Sequence, residues 1–182
     1  MRKALFGTLL SLGLITATCP LQAAGGTATV DFIAPELYTD SGYGERESAE
    51  NLRALASHLH RLAGKSLAAN EVLHVSITDI DLAGRVRRIG PHLEEVRVID
   101  GKTDWPTITL RYRLERGGMT VLEGEESLSD MSYFLKLNTY PSAETLRHEK
   151  ALLDRWFWGH IIGLLPRQEP QVRRPAFFRQ PG

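Results

Sequence analysis

The chain has 182 residues, 22 of them basic and 22 acidic, so its formal net charge is zero. Hydrophobic residues make up 42% and charged residues 24%. That balance suits one globular domain with tails. It excludes a wholly disordered chain, a collagen-like fibre and a multi-span membrane protein.

The start of the chain reads as a secretory signal peptide over residues 1–24. Arg2 and Lys3 precede an uncharged apolar run from Ala4 to Thr18, and Ala23-Ala24 form a small-residue exit before Gly25-Gly26. The run is short for a membrane span, so export to the periplasm is expected, with cleavage after Ala23 or Ala24. Cys19 is the lone cysteine. Lipidation there is the weaker alternative, because Thr16-Ala17-Thr18 and Pro20 fit that processing poorly. Cleavage after Ala23 leaves no cysteine, which removes thiol catalysis and cysteine-based zinc sites.

The charge then divides by segment. Residues 25–165 carry 16 basic against 21 acidic side chains, a net of −5. The tail from Pro166 to Gly182 carries Arg167, Arg173, Arg174 and Arg179 against Glu169, a net of +3. A nucleic-acid role calls for a basic face on the folded body, and none shows.

Thr27–Ile33 is rich in β-branched residues and predicts a strand ended by Pro35. Glu45–Ala63 predicts a helix, with Leu52, Leu55, Ala56, Leu59, Leu62 and Ala63 on one stripe and Gly64 closing it. Val72–Leu82 predicts a second strand, with Leu73, Val75 and Ile77 alternating against His74, Ser76 and Thr78. Asp79 and Asp81 then fall on the apolar parity. Burying both would cost several kcal/mol unless they were paired. A bulge or strand end near Thr78 is therefore expected, flipping the facing.

Within Gly84–Asp104 only Val96–Ile99 looks strand-like. Thr107–Glu115 predicts a strand with Ile108, Leu110, Tyr112 and Leu114 on its core face. Gly117-Gly118 signals a hairpin. A three-residue loop, Gly117–Met119, opposes Leu114 to Leu122, Tyr112 to Gly124 and Ile108 to Leu128. That register is preferred over the two-residue alternative because it keeps more apolar pairs on one face. The last strand is then Thr120–Ser129. After an aromatic connection, Ser142 is read as the cap of a helix running to about Ile162, with Leu146, Leu153, Trp156, Phe157 and Ile161 as its stripe. The Pro- and Arg-rich tail, 166–182, is expected to be disordered. The fold class is α+β: a two-layer domain, with two helices packed on one face of a mostly antiparallel sheet of four to five strands.

The chemistry-bearing residues are sparse. Asp79 and Asp81 form the best acidic pair, and with Asp40 and Asp130 they make a candidate acidic or ligand site for a hard cation or acid/base work. Backbone amides or Arg85, Arg87 and Arg88 are the structural partners such carboxylates equally take. His58 and His60 lie two apart on a helix, on roughly opposite faces, and read as surface or rim residues. His148 and His160 are too far apart on their helix to share an ion, and no cofactor motif, Gly-x-Ser-x-Gly turn or phosphate-binding loop occurs. Trp158, turned about 100° from Phe157 by helix geometry, is a candidate partner surface. Phe177 and Phe178, inside the basic tail, belong to the same candidate partner surface, as a short partner-docking peptide or one for weak membrane-surface contact.

Several strings go further than patterning. Pro35-Glu36-Leu37-Tyr38-Thr39-Asp40, Thr78-Asp79-Ile80-Asp81-Leu82-Ala83-Gly84, Asp104-Trp105-Pro106 with Leu110-Arg111-Tyr112, Leu128-Ser129-Asp130-Met131 and Lys150 to Trp156-Phe157 resemble a secreted Gram-negative family labelled domain of unknown function 3016. The resemblance spans Thr29 to Phe157 and leaves the tail outside. It implies an exported envelope protein, with no established activity and no catalytic residues to carry over. The expected function is a non-enzymatic periplasmic binding or envelope-associated module, with an unknown protein or small ligand as partner. The alternative is a small periplasmic hydrolase or metal-dependent enzyme using the aspartates.

Overall fold

A computed structural model describes residues 25–101 and 103–165. The elements in chain order are β1 (Thr27–Phe32), α1 (Gly44–Ser66), β2 (Glu71–Asp81), β3 (Arg85–Ile89), β4 (Glu94–Val98), β5 (Thr107–Arg116), β6 (Met119–Ser129) and α2 (Arg147–Trp156), with a π-helical turn over Phe157–Ile162. Four strands form one sheet in the order β1-β2-β5-β6, and β3 and β4 form a separate two-stranded ribbon. β1 runs parallel to β2, with α1 as the crossover, and the other pairings are antiparallel. This is the expected α+β fold.

One face of the sheet makes the core. Leu73, Val75, Ile77 and Ile80 of β2 and Ile108, Leu110 and Leu114 of β5 are fully buried there. Leu55 and Leu59 of α1 and Leu153, Phe157 and Ile161 of the last helix complete the same cluster. The other face is polar, and His74, Ser76, Arg111 and Arg113 stand on it. Cross-face alternation of this kind is what an antiparallel sheet with one wet side requires.

The bulge in β2 is present. Ile77 pairs with Leu110 and Asp79 with Thr109, which leaves Thr78 as the extra residue. Its hydroxyl donates to the Thr109 carbonyl at 3.2 Å. The insertion turns Ile80 into the core and keeps Asp79 and Asp81 out of it.

Three expectations are corrected. The Gly117-Gly118 turn has two residues, not three: Arg116 faces Met119, and a bulge between Leu114 and Glu115 then restores the Leu114–Leu122, Tyr112–Gly124 and Ile108–Leu128 pairs. The segment after Gly84 holds two strands rather than one. β3 reads Arg-Val-Arg-Arg-Ile and is mostly exposed, so it has no apolar alternation to betray it. Cross-strand charge holds it instead, as in the Arg88–Glu95 pair at 3.0 Å. The last helix begins at Arg147, not at Ser142, and its cap is Leu146 in the left-handed region at φ 57°. That kink turns Glu149 inward to accept the Ala83 N–H at 2.7 Å. A buried tertiary bond outweighs a local capping preference worth about 1 kcal/mol.

Gly124 faces Tyr112, and a Cβ there would lie 2.7 Å from the Tyr112 hydroxyl oxygen. Gly124→Ala is expected to displace that ring and lower stability by about 1–3 kcal/mol in urea unfolding. An unchanged midpoint would mean the ring moves at no cost.

Candidate functional site

The four candidate aspartates do not converge. Three of them gather where the chain from β1 returns along the far end of β2. The Asp40 N–H donates to the Ile80 carbonyl at 2.8 Å and the Leu82 N–H to the Asp40 carbonyl at 3.1 Å, pairing Asp40 with Asp81. The Asp40 carboxylate takes both terminal nitrogens of Arg97, at 2.8 and 2.9 Å, and the Gly42 N–H at 3.0 Å. Asp79 accepts from the Thr39 N–H at 2.8 Å and its hydroxyl at 3.0 Å. Asp81, half-buried beside these two carboxylates, has its own carboxyl pushed above the usual range by burial and then by their charge. Asp130 sits elsewhere, buried under the 131–137 loop, where it accepts Lys136 Nζ at 2.7 Å, the Ser132 N–H at 3.1 Å and Arg155. Burial alone would raise its carboxyl, but Lys136 and Arg155 outweigh it and hold it below the usual range. Among the described residues no group of three or more histidines, cysteines or carboxylates is placed to hold a metal ion.

A second cleft lies beside these aspartates. Both helices begin beside the far end of β2, and between their first turns lies a cavity of about 160 Å³. Glu47 and Asn51 of α1, Leu82 and Ala83 after β2, Arg97 and Ile99 on the ribbon, and Leu146 to Glu149 at the start of α2 line it. The Arg97–Asp40 fork carries the ribbon into place as one wall. A bidentate guanidinium–carboxylate pair fixes direction as well as distance. On the floor, Glu149 is buried, and burial raises its carboxyl above the ordinary value although the Ala83 N–H favours ionisation.

The cations of this cavity differ. Asp40 neutralises Arg97, and the lining carboxylate Glu144 is paired with Lys150 from outside the cavity. Arg147 touches no carboxylate among the described residues. It is the first residue of α2, where the helix dipole disfavours a cation. The Nε–H groups of Arg97 and Arg147 are buried and lack a hydrogen-bond partner among the described residues.

The sequence profile of a family described as protein of unknown function (DUF3016) matches residues 26–158. The chain belongs to the DUF3016 family. The matched stretch contains every residue named in the cavity and ends at Trp158, which is 52% exposed beyond α2. Phe177 and Phe178 lie outside the described residues. No curated protein and no solved structure matches the chain.

Sequence reasoning about this DUF3016 domain missed the cavity, because its arginines and Glu149 are far apart in the chain. It also misplaced His58, which is buried rather than on the surface or rim. His58 falls three residues after Leu55 and four before Leu62, both on the buried stripe of α1, and that spacing was the available signal. Its Nε2 lies 2.7 Å from Asp154 Oδ1, and Arg61 donates to its Nδ1. Arg61 can only donate, so His58 is neutral with its proton on Nε2. Tyr140 donates to the other Asp154 oxygen at 2.7 Å. Both imidazole nitrogens are occupied, so the pair buttresses α1 against α2 and is not a free base. His60 is exposed.

Two pH dependences follow. The Glu149 carboxyl is raised in the folded state, so its penalty is absent below the unfolded value of about 4.5 and grows as pH rises. Glu149→Gln keeps the acceptor for Ala83, so it should be more stable than wild type at pH 8, with the gap closing towards pH 4.5; urea unfolding at several pH values measures this. A Gln variant weaker at every pH would show that the ionised form is the stable one. Burial holds His58 below its unfolded value of 6.5, so its contribution to stability is lost as pH falls from there. His58→Gln should flatten the fall in thermal midpoint between about pH 7 and 5 relative to wild type, and parallel curves would contradict the assignment.

Proposed function

We propose that this DUF3016 chain is an exported, non-enzymatic binding module of the cell envelope that takes a small carboxylate-bearing ligand into the cavity between the starts of α1 and α2. The observation carrying the reading is Arg147, a guanidinium that lines the cavity at the start of α2 and pairs with no carboxylate among the described residues. An anion in the cavity pairs with that charge, and it also sits where the first N–H groups of α2 lack partners within the helix.

Size narrows the ligand. About 160 Å³ holds roughly five water molecules at about 30 Å³ each. That is a short-chain carboxylate rather than a drug-sized molecule, which needs about 300 Å³ or more. Leu82, Ile99 and Leu146 supply apolar contact for the chain of such an acid. Glu149 lines the same cavity, and burial favours its neutral, donating form. The export part of the reading rests on Arg2, Lys3 and the run from Ala4 to Thr18.

Thermal shift and calorimetry with acetate, lactate, succinate and inorganic phosphate test this. The short carboxylates should raise the midpoint of wild type, and Arg147→Gln should lose at least tenfold in affinity, the value of about one charge-assisted hydrogen bond. No shift from any of the four, or equal affinity in the Gln variant, would overturn the reading.

A further inference from the structure

The connection between β6 and α2 presents an unusual surface. Met131, Phe134, Leu135 and Leu137 are 70%, 58%, 88% and 95% exposed within seven residues of chain. The segment is nonetheless built. Tyr133 turns inward between them, buried, and donates to Asp104 at 2.9 Å. The Phe134 ring lies against Gly101, where an added Cβ would come within 2.6 Å of it. Asp130 holds the base through the Ser132 N–H, Lys136 and Arg155.

Three backbone bonds close inside the loop: Tyr133 N–H to the Asp130 carbonyl at 3.1 Å, and Leu135 and Lys136 N–H to the Ser132 carbonyl at 3.0 and 3.2 Å. With the Ser132 N–H bonded to Asp130, four N–H groups of the segment are satisfied within it and its base, which lowers the cost of bringing it to an apolar medium. The apolar side chains project outward, and the depression beside them holds only about 10 Å³. The surface is convex, so it enters its partner rather than receiving it. Lys136 and Arg155 share the single buried carboxylate of Asp130, with side chains 51% and 46% exposed. Both cations thus reach solvent at the base of the apolar tip, while the carboxylates of Asp130 and Asp104 lie buried beneath it. Apolar tip and cationic collar match the acyl region and headgroups of an anionic bilayer.

We propose that the 131–137 loop docks this protein on an anionic phospholipid surface by inserting Phe134, Leu135 and Leu137, with Lys136 and Arg155 at the headgroups. The proposal rests on the envelope location in the reading above and does not involve its cavity.

The test uses the chain from Gly25 to Gly182, which holds every described element and omits the apolar run before it. Co-sedimentation with vesicles of phosphatidylglycerol and phosphatidylethanolamine should exceed that with phosphatidylcholine alone. A Leu135→Glu, Leu137→Glu double variant should partition about a hundredfold less, because two leucines are withdrawn and two anions added. Both positions are almost fully exposed, so its thermal midpoint should be unchanged, and a fall would be met by repeating the assay with Leu135→Ser and Leu137→Ser. A chain ending at Leu165 should still bind. A fluorophore on Leu135→Cys should shift to the blue on anionic vesicles. Equal partitioning of the folded double variant, loss of binding on truncation at Leu165, or no binding of the unaltered chain would each overturn the proposal. Arg147→Gln should partition like wild type, so failure of the cavity reading and failure of this one are separately visible.

Discussion

One inserted residue, Thr78, sets the geometry on which the rest depends. β2 is an inner strand with a parallel neighbour on one side and an antiparallel one on the other. Without the insertion, the parity of Leu73, Val75 and Ile77 would carry Asp79 and Asp81 into the core. With it, Ile80 and Leu82 go in, and the aspartates meet the returning chain at Thr39 and Asp40. The bulge also leaves the Ile77 carbonyl to take two donors, the Ile33 N–H at 2.9 Å and the Tyr38 hydroxyl at 2.6 Å. The first connection of the chain is thus stitched to the point where the strand changes face. Bulges commonly re-aim side chains in this way.

From that point two polar bonds extend the fold beyond its sheet. The Arg97–Asp40 fork ties the exposed ribbon to the end of β2, and the Glu149–Ala83 bond ties the start of α2 to the same place. Neither is a source of large net stability, since desolvation offsets much of the gain for buried charged groups. Their effect is directional. They set three independent elements around one cavity, whose wall includes Arg147, a cation with no carboxylate partner among the described residues. An apolar core alone would leave the ribbon, held mainly by surface charge, free to swing.

Periodicity made most of the sheet legible. The strands flanking the core alternate, α1 carries a full apolar stripe, and the parity break at Asp79 pointed to the bulge. The parts that stayed hidden have physical reasons. β3 is wet on both faces, so Arg85, Val86, Arg87 and Arg88 leave no pattern. The start of α2 is set by Glu149 reaching a backbone amide 66 residues away in sequence, which no local capping rule contains. The same holds for the cavity. Glu47, Arg97 and Arg147 are unremarkable surface residues in the sequence and acquire meaning only through tertiary placement. Of the four candidate aspartates, Asp130 lies apart from the other three, and Thr39 and Arg97 already occupy two of those three carboxylates.

The parallel pairing of β1 has a consequence for the order in which the domain assembles. β5 and β6 meet across a two-residue turn, a closure made in microseconds. β1 must instead find β2 across a helix, with partners such as Thr29 and His74 standing 45 residues apart. Loop-closure entropy and the delay of non-local contacts place that step late. Until it happens, an inner strand offers a bare row of amides and carbonyls along one side. The first strand in chain order is thus the one that seals the sheet last, and α1 serves in the meantime as the tether that limits how far it can stray.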